Sequence, residues 1–149
     1  MAAPASETLL QEWYRRVWNE GDLDAIEELF AADGLAHGID GPPLRGPAAF
    51  REFCVAFRAS FAALSVRLVH EVTERGLTAA WTEFSVTPKG GKPPIRFAAA
   101  GFVRAEGRRI VEAWNCCDFL PLLQGLGQAS PAALTSALAV AAGGADPAA

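Results

Sequence analysis

Few residues of this chain can carry acid/base chemistry, and two of them are its histidines, His37 and His70. An imidazole gives or takes a proton near neutral pH, so either ring can serve a reaction if it faces a substrate. The alternation Val66, Leu68, His70, Val72 places His70 on the apolar side of a strand, as a proton carrier or as a satisfied core histidine. His37 opens the glycine- and proline-rich run HGIDGPPLRGP, where its ring either meets a ligand or lies in solvent. Asp118 closes a strand whose even positions are Ile110, Glu112, Trp114 and Cys116. In that company a carboxylate is desolvated and holds its proton to higher pH, as an acid/base group must, unless it simply caps the turn at Phe119. Glu83 shares a strand face with Leu77, Ala79 and Trp81. It either looks inward at a substrate or lies at an exposed edge, the less costly place for an unpaired carboxylate. Tyr14, Trp18, Phe57, Trp81 and Trp114 offer flat walls on which an apolar or aromatic small molecule can stack. The histidines and scattered acids lack metal-ligand spacing, and no Gly-x-Gly-x-x-Gly or P-loop run occurs, so a site working without a cofactor is expected.

Those residues must be held by three helices and four strands. Leu10, Trp13, Tyr14, Val17 and Trp18 recur at helical spacing after Thr8-x-x-Gln11, a capping box, and the helix stops at Asn19-Glu20-Gly21. Asp22 caps a second helix with Leu23, Ile26, Leu29 and Phe30 on its apolar stripe, ending near Asp33-Gly34. Pro47 suits the first turn of a third, along which Phe50, Phe53, Cys54, Phe57 and Phe61 trace one face. From Leu64 the period becomes two, and LSVRLVHEV, LTAAWTEFSV, IRFAAAGFV and RIVEAWNCCDF read as four strands joined by short turns. Segregated elements of this kind give an α+β fold, with the three N-terminal helices gathered on one face of a curved antiparallel sheet. The expected division is a domain over residues 1–127 and an Ala-rich extension over 128–149, in which Pro131 to Ala142 can be helical and the end frays.

Composition limits the function classes. At 149 residues one core is expected, and 51% apolar with 20% charged residues is a globular mixture. A net charge of −4 argues against nucleic acid as a partner, which needs a clustered cationic face. No run of about twenty apolar residues is present to span a membrane, and no signal segment is seen, so a cytoplasmic protein is expected. The three cysteines, Cys54, Cys116 and Cys117, form neither a disulfide framework nor a C-x-x-C site and are expected as buried thiols.

With YRRVWNEGDLDAIEELFAADGLAHG in front and GRRIVEAWNCCDFLPLLQGLG behind, the chain resembles the SnoaL-like polyketide cyclases of the nuclear-transport-factor-2-like superfamily, over about Glu7 to Gly127. The resemblance implies a cone-shaped fold around an apolar cavity, no cofactor, and ring closure by an intramolecular aldol step. It places Asp118, after I-x-E-x-W, at the family's acid/base aspartate. The family commonly ends that motif in Q-L-G, whereas this chain has Gln124-Gly125-Leu126-Gly127. Related ketosteroid isomerases put a carboxylate base near the His37 loop and a phenol in the first helix, which would cast His37 as base and Tyr14 as donor. Limonene epoxide hydrolases, also relatives, use an Arg-x-Asp pair on the strand where this chain reads Trp81-x-Glu83, so their mechanism is not expected.

The expected function is a cyclase-type enzyme acting on a polyketide-like or other apolar carbonyl compound, with Asp118 removing a proton and histidine or tyrosine holding the enolate. The alternatives are an isomerase using His37 and Tyr14, or a binding or dimerisation domain. A homodimer is expected through the outer sheet face, read as Thr82, Phe84 and Val86 beside Ala98, Ala100 and Phe102. The alternative cover for that face is the segment from Pro131 to Ala142.

Overall fold

A computed structural model describes residues 6–143. Helix α1 spans Leu9–Trp13 and runs directly into a π-helical segment, Tyr14–Glu20. The expected capping box is formed: Thr8 Oγ1 accepts from the Gln11 amide at 3.1 Å, and Gln11 Oε1 accepts from the Thr8 amide at 3.0 Å. The segment ends where Gly21 turns left-handed, at φ 71°, a conformation that costs glycine little. Helix α2, Ala25–Leu29, is shorter than its stripe predicts, because Phe30 leaves the helix with φ −114° and ψ 129° and begins strand β1, Phe30–His37.

After β1 come a short β2, Leu44–Arg45, and helix α3, Gly46–Ala59. Four long strands follow: β3, Phe61–Glu74; β4, Leu77–Pro88; β5, Ile95–Glu106; and β6, Arg109–Cys117. Phe61 therefore starts β3 instead of ending the α3 face. Two further helices close the described chain, α4 over Leu120–Gly125 and α5 over Ala133–Ala141.

The fold class is the expected α+β arrangement, with one six-stranded sheet in the order β2-β1-β6-β5-β4-β3. The sheet is mixed, since β1 runs parallel to β6, pairing Ala36 with Ala113 and His37 with Trp114. Residues that read as a helix end and a loop thus form a strand, because β6 offers them main-chain partners that a local pattern cannot reveal. One core fills the space between the helices and the inner sheet face. Val17, Ile26 and Cys54 enter it from the helices, and Val86, Phe97 and Ile110 from the strands. No α5 residue is buried, and Val72, Trp81 and Phe102 stay exposed, so the described part of the tail does not cover the outer face.

Two bulges decide which side chains reach that core. Leu68 pairs with Thr82 and His70 with Trp81, so Val69 is an extra residue on β3. Arg104 pairs with Glu112 and Ala105 with Ile110, so Val111 is an extra residue on β6. One inserted residue moves every later side chain to the opposite face.

Candidate functional site

A cavity of about 80 Å³ lies between the helices and the inner sheet face. Its aromatic wall comes from two helical faces. Trp18 projects from the π-helical segment, and Phe53 and Phe57 project from α3, each in edge or tilted contact with the next at 5.8 to 6.2 Å. The opposite wall is Phe84 on β4 stacked on Phe97 of β5 at 4.9 Å and 9°. Ile39 and Phe119, on the loops after β1 and β6, also line it.

Four polar side chains interrupt this surface: Tyr14, Thr82, Asn115 and Cys117. Tyr14 enters from the first turn of the π-helical segment, whose widened turn sets it and Trp18 on the cavity side. Burial pushes its phenol up to about 12; the nearby Thr82 hydroxyl pulls it back, and Cys117 and Glu71 add to the rise. Thr82, fully buried, donates to the Ala99 carbonyl at 3.2 Å. Asn115 Nδ2 donates to the His37 carbonyl at 2.8 Å, joining β6 to the end of β1. Opposite Asn115 stands Gly101, where an added Cβ would come within 2.9 Å of the Trp114 carbonyl oxygen. Burial raises the Cys117 thiol and the Cys116 thiol adds to this, so Cys117 is a weak donor and not a thiolate.

Tyr14, the second amide hydrogen of Asn115 and, weakly, Cys117 can donate to a carbonyl oxygen within apolar walls, whereas the Thr82 proton is already given to Ala99. Among the described residues, no aspartate, glutamate, histidine, lysine or arginine lines the cavity. Among the described residues no three His, Cys, Asp or Glu side chains gather where a metal could sit.

Of the residues singled out by sequence, the cavity brings together Tyr14, Trp18 and Phe57. The others lie outside it, and the strand phase explains each correction. Past the Val69 bulge His70 turns outward and is exposed. Past the Val111 bulge Glu112, Trp114, Cys116 and Asp118 separate from inward Ile110, and Asp118 is exposed, with its amide donating to the Ala98 carbonyl at 2.9 Å. Asp118 is therefore not placed among apolar neighbours as expected.

On β4 the inward set is Thr82, Phe84 and Val86, the opposite of the expected phase. Trp81 is 45% exposed, and Glu83 reaches Arg67 at 2.6 Å across the outer surface. His37 ends β1, with Nε2 2.9 Å from Glu112 Oε1 and its ring stacked on Trp114 at 5.8 Å. His37 and Tyr14 thus cannot share one small ligand in the cavity, as the isomerase reading requires. Cys54 is buried, while Cys116 is exposed.

Thr82, Asn115 and Cys117 had no sequence signal as cavity residues. Once the Val111 bulge is known, Ala113, Asn115 and Cys117 follow as the inward set.

Outside, the same strands form a second depression. Pairing aligns Val72, Ala79, Phe102, Trp114 and His37 in one row and His70, Trp81, Ala100 and Cys116 in the next. All of these except His37 bound a groove of about 380 Å³, with Arg104 placed over the Trp114 ring at 5.4 Å.

The buried phenol and thiol have a consequence for stability. Burial raises Tyr14 from 10.0 and Cys54 from 9.0, each to about 12. A pKa raised on folding gives stability that is complete below the unfolded value and lost as pH climbs toward the folded one. The melting temperature should therefore fall between about pH 9 and 12, and Tyr14→Phe should flatten the fall. A melting temperature unchanged from pH 8 to 11.5 would contradict both assignments.

The profile of the SnoaL-like domain family matches residues 10–113. No curated protein matches the chain. Among solved structures, a loop-truncation variant of IdmH is 25% identical with a TM-score of 0.70, covering 80% of this chain and 97% of its own. Wild-type IdmH, a proposed polyketide cyclase from Streptomyces antibioticus, is 23% identical with a TM-score of 0.69, over 80% and 96%. A protein from Bacillus cereus, likewise a proposed polyketide cyclase, is 20% identical with a TM-score of 0.72, over 80% and 78%.

Proposed function

The chain belongs to the SnoaL-like domain family, and from that premise we propose that it is a cyclase-type enzyme closing a ring in an apolar carbonyl compound held under Tyr14. The observation that carries this reading is a cavity of aromatic walls whose polar side chains, Tyr14, Thr82, Asn115 and Cys117, are all uncharged. Such a site polarises a carbonyl but does not supply a strong base. It suits a 1,3-dicarbonyl, which already exists partly as its enol. The enol carbon attacks a second carbonyl of the same chain, a carbon–carbon bond forms, and the attacked C=O becomes an alcohol. The proton lost from the enol oxygen balances the one gained by the new hydroxyl, and Tyr14 bonds the oxygen while it carries negative charge. Walls that hold the chain bent prepay its ordering entropy. A cavity of about 80 Å³ is smaller than the roughly 150 Å³ that takes a benzene, so it takes the carbonyl that Tyr14 bonds, and the rest of the closing ring lies beyond it.

The test is turnover of a linear poly-β-ketone analogue, followed by appearance of cyclised product. Asp118→Asn should leave that rate within about twofold, because an exposed residue outside the cavity gives up no transition-state contact. A large loss would return Asp118 to the reaction. The missing base also favours a second reading, a non-catalytic binding module. Binding of the analogue in the cavity with no acceleration over buffer would select it.

We propose further that two copies pair through the outer face, which on β4 presents Trp81 and not the expected Thr82, Phe84 and Val86. Exposed Val72, Trp81 and Phe102 form an apolar patch flanked by the charged pair Arg67 and Glu83 on one side and by Arg104 with Glu112 on the other. Sedimentation should give a dimer for the full chain and for a chain ending at Gln128, and a monomer for Phe102→Glu. A monomeric full chain would refute the pairing.

A further inference from the structure

The helical segment that carries Tyr14 is fastened to one strand at both ends. At its start the Thr8 hydroxyl, while capping α1, donates to Glu71 Oε2 at 2.9 Å. At its end Asn19 engages both main-chain groups of Val66, with Nδ2 donating to the carbonyl at 2.9 Å and Oδ1 accepting from the amide at 2.7 Å. Val66 and Glu71 are an odd number of residues apart, so on a regular strand they would face opposite sides. The Val69 bulge lies between them and turns the Glu71 side chain to the helix side, the side on which Val66 is already buried. The bulge that sends His70 outward is thus the one that lets β3 hold the segment at two points.

Pairing also puts Glu71 in an inner row with Ala80, Gly101 and Asn115, a row whose far end lines the cavity. We propose that Glu71 is a positioning residue: through Thr8, and together with Asn19, it fixes where the Tyr14 phenol stands over Thr82. The inference rests on the reading of Tyr14 as the carbonyl donor. It adds that this donor is aimed from outside the cavity, by a carboxylate that does not line it. Glu71 has a second, smaller effect, since its negative charge disfavours tyrosinate and adds to the rise at Tyr14.

Tyr14 is the only tyrosine of the chain, so biosynthetic replacement with a fluorinated tyrosine, which ionises at milder pH, labels this position alone. Its ¹⁹F resonance then reports the surroundings of the phenol and its ionisation midpoint without any substrate. Glu71→Gln keeps an acceptor for Thr8 and loses the charge; its resonance should stay in place while the midpoint drops slightly. Glu71→Leu and Thr8→Val remove the latch. In both, the resonance should shift or broaden, the midpoint should move toward that of the free amino acid, and affinity for the poly-β-ketone analogue should fall about fivefold. Thr8→Ser should behave as the wild type. Wild-type resonance and midpoint in folded Glu71→Leu would overturn the proposal. Because the ¹⁹F readouts need no ligand, a protein with an intact latch but no cyclisation would refute the reaction alone.

Discussion

Tyr14→Phe should reduce turnover of the poly-β-ketone analogue about a hundredfold or more, the cost of losing one donor to a developing oxyanion in a water-poor site. Phenylalanine keeps the ring in the cavity lining, so the cavity retains its walls and loses one hydroxyl. The effect should fall on kcat, because a ground-state carbonyl draws less on the donor than the oxygen carrying charge after attack. KM should change only a few-fold. The burial that raises the phenol to about 12 keeps it protonated throughout the working range, so the rate should not depend on its titration below about pH 10. Steady-state rates with a melting curve of the variant check this. A stable Tyr14→Phe protein with full turnover would remove Tyr14 from the reaction and leave the cavity without its donor.

The second large effect is on the fold. Phe30→Ala should lower stability by about 3–5 kcal/mol, through lost transfer energy and the space left behind. Phe30 is 1% exposed, stacked on Phe50 at 5.6 Å and 30°, and 6.1 Å from Trp13. The gap would not close easily. Gly34 already lies so near that a Cβ there would be 2.7 Å from the Phe30 ring, and β1 is held in place by its pairing with β6. Against a typical native stability of about 5–15 kcal/mol, the variant keeps a small margin or none. Phe102→Ala, at a residue 52% exposed, should cost about 1 kcal/mol or less in the isolated chain. Urea unfolding of the two variants makes the comparison. Equal losses would mean that Phe30 is not the anchor its packing indicates.

Much of the architecture was legible beforehand. Thr8 and Gln11 announced the first helix and Gly21 its end, and Pro47 marked the start of α3. All four long strands lie where the period of two begins, since a half-buried strand must alternate. Helical spacing put the α3 phenylalanines on one apolar face, and three of the five expected aromatic walls, Tyr14, Trp18 and Phe57, line the cavity. What misled was the assignment of strand faces. Both faces of β4 are apolar, with Leu77, Ala79 and Trp81 on one and Thr82, Phe84 and Val86 on the other, so alternation defines two sets without saying which meets the helices.

The sequence alone therefore determined the three N-terminal helices, the four long strands, their order and the α+β class, because capping, turn chemistry and periodicity act over a few residues and are written locally. It did not reveal β1, whose extended backbone depends on main-chain partners in β6, some eighty residues away in the chain. Nor did it determine which acid/base groups face a ligand. The bulges at Val69 and Val111 are choices of register between strands, made where packing of the helices against the sheet outweighs a regular ladder. Each insertion reverses the phase beyond it. His70 and Asp118 turn to the outer face, Asn115 and Cys117 turn to the cavity, and Glu71 turns toward the helix that carries Tyr14.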